Sequence, residues 1–208
     1  MKKAVCAVLL VAVFAAAALV PGAAADKKGV RLCFIVDSGS VAGCAGGASM
    51  FDDVLKAIIG SGKKVAFFFD CENARYDADF ASALMKAFSA GMPVGIYDAK
   101  GGDAARLGEA LTYEKYITRT TSRMILTSSA ASGSFGDGFA VFTADIIISS
   151  PSLINAETLA NFADTTMVAR INPSLAMPII ALFSGIKTSG IYIITPTETG
   201  FSAFGTEG

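Results

Sequence analysis

The chain has no histidine among its 208 residues, and that single absence removes several kinds of chemistry. A Ser-His-Asp hydrolase cannot be assembled without an imidazole base, so the serines at 128 and 129 are not expected to act as nucleophiles. The four cysteines, at 6, 33, 44 and 71, contain no Cys-x-x-Cys pair, and with no histidine to complete a set, zinc-site spacing is missing. Charge is also scarce, at 17% of residues, and nearly balanced at −1. The lysines and arginines are scattered along the chain, so no basic patch is dense enough to follow a phosphate backbone, and nucleic acid is not an expected partner. The glycine-rich stretch from Gly43 to Gly47 lacks the Gly-Lys-Ser/Thr finish of a phosphate loop and reads as a connection into the next helix.

What is present begins with Lys2 and Lys3, an apolar run from Ala4 to Val20, and then Pro21-Gly22-Ala23-Ala24-Ala25. A basic start, an apolar core and small residues at the end form the pattern of a secretory signal, with cleavage expected after Ala25. The alternative is an uncleaved anchor, since the run approaches the roughly 20 residues that cross a bilayer. Residues 26–208 then form a single domain, expected in secreted or cell-envelope form, with the membrane touched only through the first segment. In that setting Cys44 and Cys71, each just past a strand end, are candidates for a disulfide between neighbouring loops, while Cys33 packs as a small apolar residue inside a strand.

Apolar runs of four to eight residues alternate with helical patterns, which argues for a parallel α/β sheet or barrel. Strands are expected over Arg31–Asp37, Lys64–Asp70, Pro93–Tyr97, Arg123–Thr127, Phe139–Ile148, Thr166–Ile171 and Gly190–Thr195. Helices are expected over Ser49–Ile59, Ala78–Ala90, Gly102–Thr118, Asn155–Ala163 and Ser174–Thr188, with Ser174 as an N-cap. In the second helix Phe80, Leu84, Met85 and Phe88 mark one apolar face, and Gly91 supplies the stop. Periodicity alone leaves two architectures open, an incomplete (β/α) barrel and an open doubly wound sheet.

Acids recur at or just past the strand ends: Asp37, Asp70, Asp98 and Asp145. Barrel folds place their sites there, so these residues with Tyr97 are the candidate binding mouth. Four acids of this kind could hold a hard cation such as calcium. The same placement follows from the ordinary preference of aspartate for turns, and Asp37 has a local alternative as the cap of the turn at Ser38-Gly39. No cofactor is expected.

The opening strand, Arg31 to Asp37, runs into Ser38-Gly39, and the second reads Lys64-Val65-Ala66-Phe67-Phe68-Phe69-Asp70. This layout resembles the start of polysaccharide deacetylases of the NodB type, in which the first strand ends Thr-Phe-Asp-Asp-Gly and the next reads Ala-Thr-Phe-Phe. Ala83 to Gly95 is similar to the family's helix ending Ala-Gly-His-Glu-Ile-Gly. Glu114 to Ile125 resembles its helix, turn and fourth strand, and Pro178 to Thr197 its last helix and Gly-Tyr-x-Phe strand. The resemblance spans residues 29 to 200 and implies a distorted, incomplete (β/α) barrel of about seven strands.

The family's reaction is metal-dependent hydrolysis of N- or O-acetyl groups, with one Asp and two His holding the metal. The resemblance puts Asp37 at the family's general base and Ser38 at its metal-binding Asp. Tyr97 and Gly101 stand at the two histidines, Leu126-Thr127-Ser128 at the Arg-x-Pro motif, and Arg170-Ile171-Asn172 near the late Leu-x-His motif. Of the residues that carry the chemistry only Asp37 is retained, and no metal site is expected. A serine hydroxyl replaces a carboxylate poorly, and a phenol with an ordinary pKa of about 10 is not a ready anion. The resemblance therefore implies a catalytically silent relative that binds a glycan or an envelope protein. The alternative is a carbohydrate hydrolase or deacetylase with a rebuilt site, using Asp37 and Asp70 as a carboxylate pair.

Overall fold

The computed structural model describes residues 28–42, 49–71, 77–99, 104–127, 138–189, 191–197 and 200–203. The expected signal, Cys44 and Gly101 lie outside the described residues. Among the described residues no helix is long and apolar enough to cross a membrane.

Local sequence accounts for most element boundaries. Strand β1 (Lys28–Val36) is followed by a one-turn helix α1 (Ser38–Val41). Helix α2 (Met50–Ser61) starts at a capping box, in which Ser49 accepts the Asp52 N–H and Asp52 reaches back to the Ser49 N–H. It stops at Gly62, whose φ of 72° a side chain would resist. Strand β2 (Ala66–Phe69) leads to α3 (Ala78–Ser89), capped by Asp77, and then to β3 (Val94–Asp98). Helix α3 is rotated from its expected face. Phe80, Ala83, Leu84 and Ala87 are buried, while Met85 and Phe88 are 40% and 38% exposed.

Next come α4 (Ala104–Thr118), β4 (Met124–Thr127), β5 (Ala140–Thr143) and β6 (Ile146–Ile148). Helix α5 (Ala156–Ala160), β7 (Thr166–Arg170), α6 (Pro173–Gly185), β8 (Ile191–Thr197) and β9 (Gly200–Ala203) complete the chain. The cap of α6 is Asn172, accepting from the N–H groups of Ser174 and Leu175, rather than Ser174 itself. Pro173 takes the first helical position, where its missing N–H costs nothing.

Seven parallel strands lie in the order β5-β4-β3-β2-β1-β7-β6. The expected strand over residues 139–148 is one run of chain whose two halves pair at opposite ends of that path. Ala144 and Asp145 join them. The Ala144 N–H donates to Thr127 O at 3.3 Å and the Asp145 N–H to Thr166 O at 3.0 Å. An open doubly wound sheet would hold its edge strands apart. Here they are consecutive in the chain, so the sheet curls into an incomplete barrel. Strand β8 pairs beside the first half of β1 and β2 beside the second half; β9 adds an antiparallel edge to β8.

Alternation along each strand divides the core in two. Val30, Leu32, Phe34 and Val36 of β1, with Phe67 and Phe69 of β2, face the helices, where Phe51, Phe80 and Phe183 cover them. Cys33, Ile35, Ala66, Phe68, Tyr97, Met124, Leu126, Phe142 and Val168 face inward and fill the barrel. The interior is a packed plug, as in other small barrels. Gly95 makes room for it: a Cβ there would come within 2.7 Å of both the Phe68 ring and Met124 O.

Candidate functional site

The C-terminal ends of the parallel strands form the mouth, and its centre is a residue that sequence reasoning did not single out as a binding group. Arg170, the last residue of β7, shares the inward alternation of Val168. Its Nη1 donates to Asp37 Oδ2, and its guanidinium carbon lies 5.5 Å from the centroid of the Tyr97 ring. The two side chains come from opposite ends of the sequence. They meet because β1 and β7 pair in register, with Ile35 opposite Arg170. A cation over an aromatic face gains from the ring quadrupole as well as from the carboxylate.

Asp37 is engaged on both oxygens. Oδ1 accepts the Ser40 N–H at 2.9 Å, making Asp37 the N-cap of α1, and Oδ2 accepts from Arg170. The local capping role is therefore real, and the inter-strand ion pair is added to it. Ser40 is fully buried and ties this turn to β7. Its Oγ lies 2.7 Å from Ile171 O and 2.9 Å from Asp37 Oδ1, so its one proton serves either acceptor. Burial alone would raise the Asp37 carboxyl. The hydrogen bonds from Arg170 and from the Ser40 N–H and hydroxyl, with the Arg170 charge, more than reverse this and hold it below its ordinary value. Arg170 responds in the opposite sense. Burial would lower it, but the hydrogen bond and charge of Asp37, then the fields of Tyr97 and Asp70, raise it above the usual guanidinium value.

The other expected mouth residues divide. Asp70 continues the inward alternation of Ala66 and Phe68, is 5% exposed, and acts electrostatically on Arg170. Tyr97 is 7% exposed and belongs to the barrel interior. Arg170 covers its ring, so Tyr97 is a platform for the arginine and not an open stacking surface for a sugar. Asp98 follows the alternation of Val94 and Ile96, which face the helices, and does not join the inward cluster. Asp145 is at the barrel seam, where its Oδ2 accepts the Thr166 N–H at 2.7 Å. Thr166 begins β7, roughly 13 Å along the strand from Arg170, so along β7 Asp145 is set apart from the Arg170–Asp37 pair. Cys71 is a free, buried thiol; Cys44, the other half of the expected disulfide, is outside the described residues.

The resemblance implies a metal held at this mouth, and the donors present there are few. Asp37 has both oxygens committed, Ser38 is an exposed hydroxyl, and Tyr97 lies under a guanidinium. Among the described residues no cluster of three or more Cys, Asp or Glu side chains could hold an ion. Arg170 places its positive charge against the Asp37 carboxylate, so among the described residues these donors are not arranged around a divalent cation.

No protein-family model matches the chain, and no curated protein does. Solved structures do. The polysaccharide deacetylase Bc1974 from Bacillus cereus superposes with a TM-score of 0.53 at 15% identity, over 85% of this chain and 93% of that one. The peptidoglycan deacetylase PdaC from Bacillus subtilis gives 0.52 at 14% identity, over 82% and 89%. A mutant of BA3943, described as a CE4 family pseudoenzyme with restored enzymatic activity, gives 0.56 at 14% identity, over 82% and 66%. Identities this low speak for the fold and not for the chemistry. The chain has the fold of the CE4 polysaccharide deacetylases, with seven parallel strands in a curled, incomplete barrel.

Proposed function

We propose that this is an exported deacetylase-fold protein that binds, and does not hydrolyse, at the cell envelope, with a glycan or an envelope protein as its partner. The observation that carries this reading is the Arg170–Asp37 ion pair over Tyr97. Metal-assisted amide hydrolysis needs a cation that polarises the carbonyl and acidifies a bound water. A guanidinium neutralises a carboxylate but offers no vacant orbital for water or substrate oxygen. It also occupies the carboxylate that would otherwise act as base. The side chain of Arg170 is 38% exposed against 22% for Asp37, so a ligand reaching the pair meets an arginine, a planar fork of donors suited to carboxylate and hydroxyl groups. One fold neighbour is itself described as a pseudoenzyme, so this barrel is known to carry such a state.

The rebuilt-hydrolase reading has less support. A glycosidase pair needs one carboxylic acid held protonated at neutral pH; Asp37 is shifted the other way, so that role would fall to Asp70, and the Asp37 carboxylate is already taken by Arg170. Two assays on the intact protein test the proposal together. Acetate release from acetylated chitooligosaccharides and acetylated xylan, with zinc or cobalt added, is expected to equal that of a heat-killed control. A glycan-binding screen is expected to return ligands whose retention falls in Arg170→Ala. Acetate release above the control refutes the loss of catalysis, and glycan cleavage without metal favours the Asp37 and Asp70 pair.

A further inference from the structure

Helix α4 covers the barrel with one side and leaves the other to solvent. Leu107, Leu111, Tyr113 and Ile117 pack against the helix-side core, whereas Ala105, Gly108, Glu109, Thr112, Lys115 and Tyr116 are exposed. The exposed positions recur at three- and four-residue steps, so they form one outward face. That face is grooved: a cavity of about 660 Å³ lies along it, bordered by Ala105, Gly108, Thr112 and Tyr116 among others. Gly108 leaves a gap in the groove, since a Cβ there would meet nothing within 4 Å. Two turns further on stands Tyr116, a ring that is 70% exposed and has the Arg119 guanidinium carbon 5.8 Å from its centroid.

We infer that this face is a contact between two copies of the chain, with α4 antiparallel to α4 of the partner subunit and Thr112 on the two-fold axis. Gly108 lies four residues before Thr112 and Tyr116 four residues after it, about 6 Å to either side along the helix. An antiparallel two-fold therefore sets each Tyr116 ring over the partner's Gly108, and the same fit is made twice. The face carries both the projecting ring and the gap that receives it, which is what makes a second copy its occupant. A parallel pair would set ring on ring and gap on gap. Thr112 suits the axis, because its hydroxyl already donates to Gly108 O at 2.7 Å and brings no unpaired donor into the contact. Charge agrees with the same register. Lys115, three residues past Thr112, falls opposite the partner's Glu109, three residues before it, so like charges are not brought together, whatever else Glu109 holds.

Sedimentation velocity of the intact protein reads the association directly. A single helix pair falls short of the roughly 1,600 Å² of a standard interface, so the dimer is expected to be weak, with a dissociation constant of about 0.1 mM. Gly108→Gln fills the gap with a better helix former. It is expected to keep or raise Tm while weakening association at least about tenfold. Tyr116→Ala removes the ring and is expected to weaken association to the same degree. Met177→Ala, at an exposed site on α6, and Arg170→Ala at the mouth are expected to leave it unchanged. Register is read by cross-linking under mild oxidation, with wild type as the baseline. Thr112→Cys places two thiols at the axis, within disulfide reach, whereas two Ala105→Cys thiols lie about 21 Å apart along the antiparallel pair. Only the first is expected to give covalent dimer above the baseline. A chain that stays monomeric at about 1 mM leaves the face to an unlike protein and overturns the proposal. Association unaltered in Gly108→Gln, or cross-linking through Ala105→Cys that matches Thr112→Cys, overturns it as well.

Discussion

Replacing Arg170 with methionine removes the guanidinium and keeps much of the stem that covers Tyr97. A charge-assisted hydrogen bond contributes about 1.5–3 kcal/mol when well shielded, and a fully exposed pair only about 0.2–1 kcal/mol. With side chains 38% and 22% exposed, the Arg170–Asp37 pair stands between, and the cation–π contact with Tyr97 adds about 0.5–1 kcal/mol. The expected loss is about 1–2 kcal/mol, which for a chain of this size lowers Tm by roughly 2–8 °C. The pH dependence separates the ion pair from simple packing. Asp37 titrates below its ordinary value in the folded protein, so its contribution is complete above the unfolded value of about 3.9 and is lost as pH falls through the folded one. Thermal unfolding of wild type and Arg170→Met is therefore expected to differ most near about pH 7 and to differ less near about pH 2. Asp37→Asn should remove most of the effect of the second substitution, giving a coupling free energy in the double-mutant cycle. A Tm difference that is the same at both pH values, or strict additivity of the two substitutions, would refute the pair as the organising contact of the mouth.

Gly95→Ala is expected to cost about 1–3 kcal/mol by overpacking, since its Cβ would strike backbone at Met124 O as well as the Phe68 ring; urea denaturation measures it, and a neutral result would mean the plug repacks freely. Cys33 and Cys71 are expected to stay unlabelled by a thiol reagent in the native protein and to react on unfolding, as mapped by peptide mass spectrometry. Burial pushes the Cys33 thiol up to about 12. It also raises Cys71, with help from the Glu114 and Asp70 charges, so neither thiol supplies thiolate at neutral pH. Asn172→Ala removes the acceptor for two helix N–H groups and is expected to lower stability by about 1 kcal/mol, measured by the same denaturation.

Elements were legible in the sequence where local rules decide them. Five of the six α-helices follow from apolar spacing and caps, the one-turn α1 being the exception, and the strands from short apolar runs. What escaped is non-local. The run over residues 139–148 reads as one strand because nothing within it records that its halves have different partners. Strand β9 lacks a run of strand-forming residues and exists through its pairing with β8. Asp145 sits at a strand boundary like the other acids, yet register carries it to the seam and Asp98 to the helix side. The Arg170–Asp37 pair spans most of the chain, so spacing could not join the two residues. A signal for it was nonetheless available. Met167 and Ala169 alternate toward the helices, which aims Val168 and Arg170 inward, and a charge on the inward register of a buried strand calls for a counter-charge at the same barrel end.

Strand β1 has three strand neighbours, and they come from widely separated parts of the chain. Its second half pairs with β2, its far edge with β7, and its first half with β8. As the chain is synthesised, β1 is among the first elements made and among the last to be fully paired. Arg31 has no partner on its β8 side until Ile194 exists. A barrel organised in this way has high contact order and closes slowly, and a chain ending before β8 leaves half of its central strand open as an edge for association. The chain's last strands thus govern whether its first one is safely folded, so truncation from the C-terminus should produce aggregation well before it removes any part of the mouth.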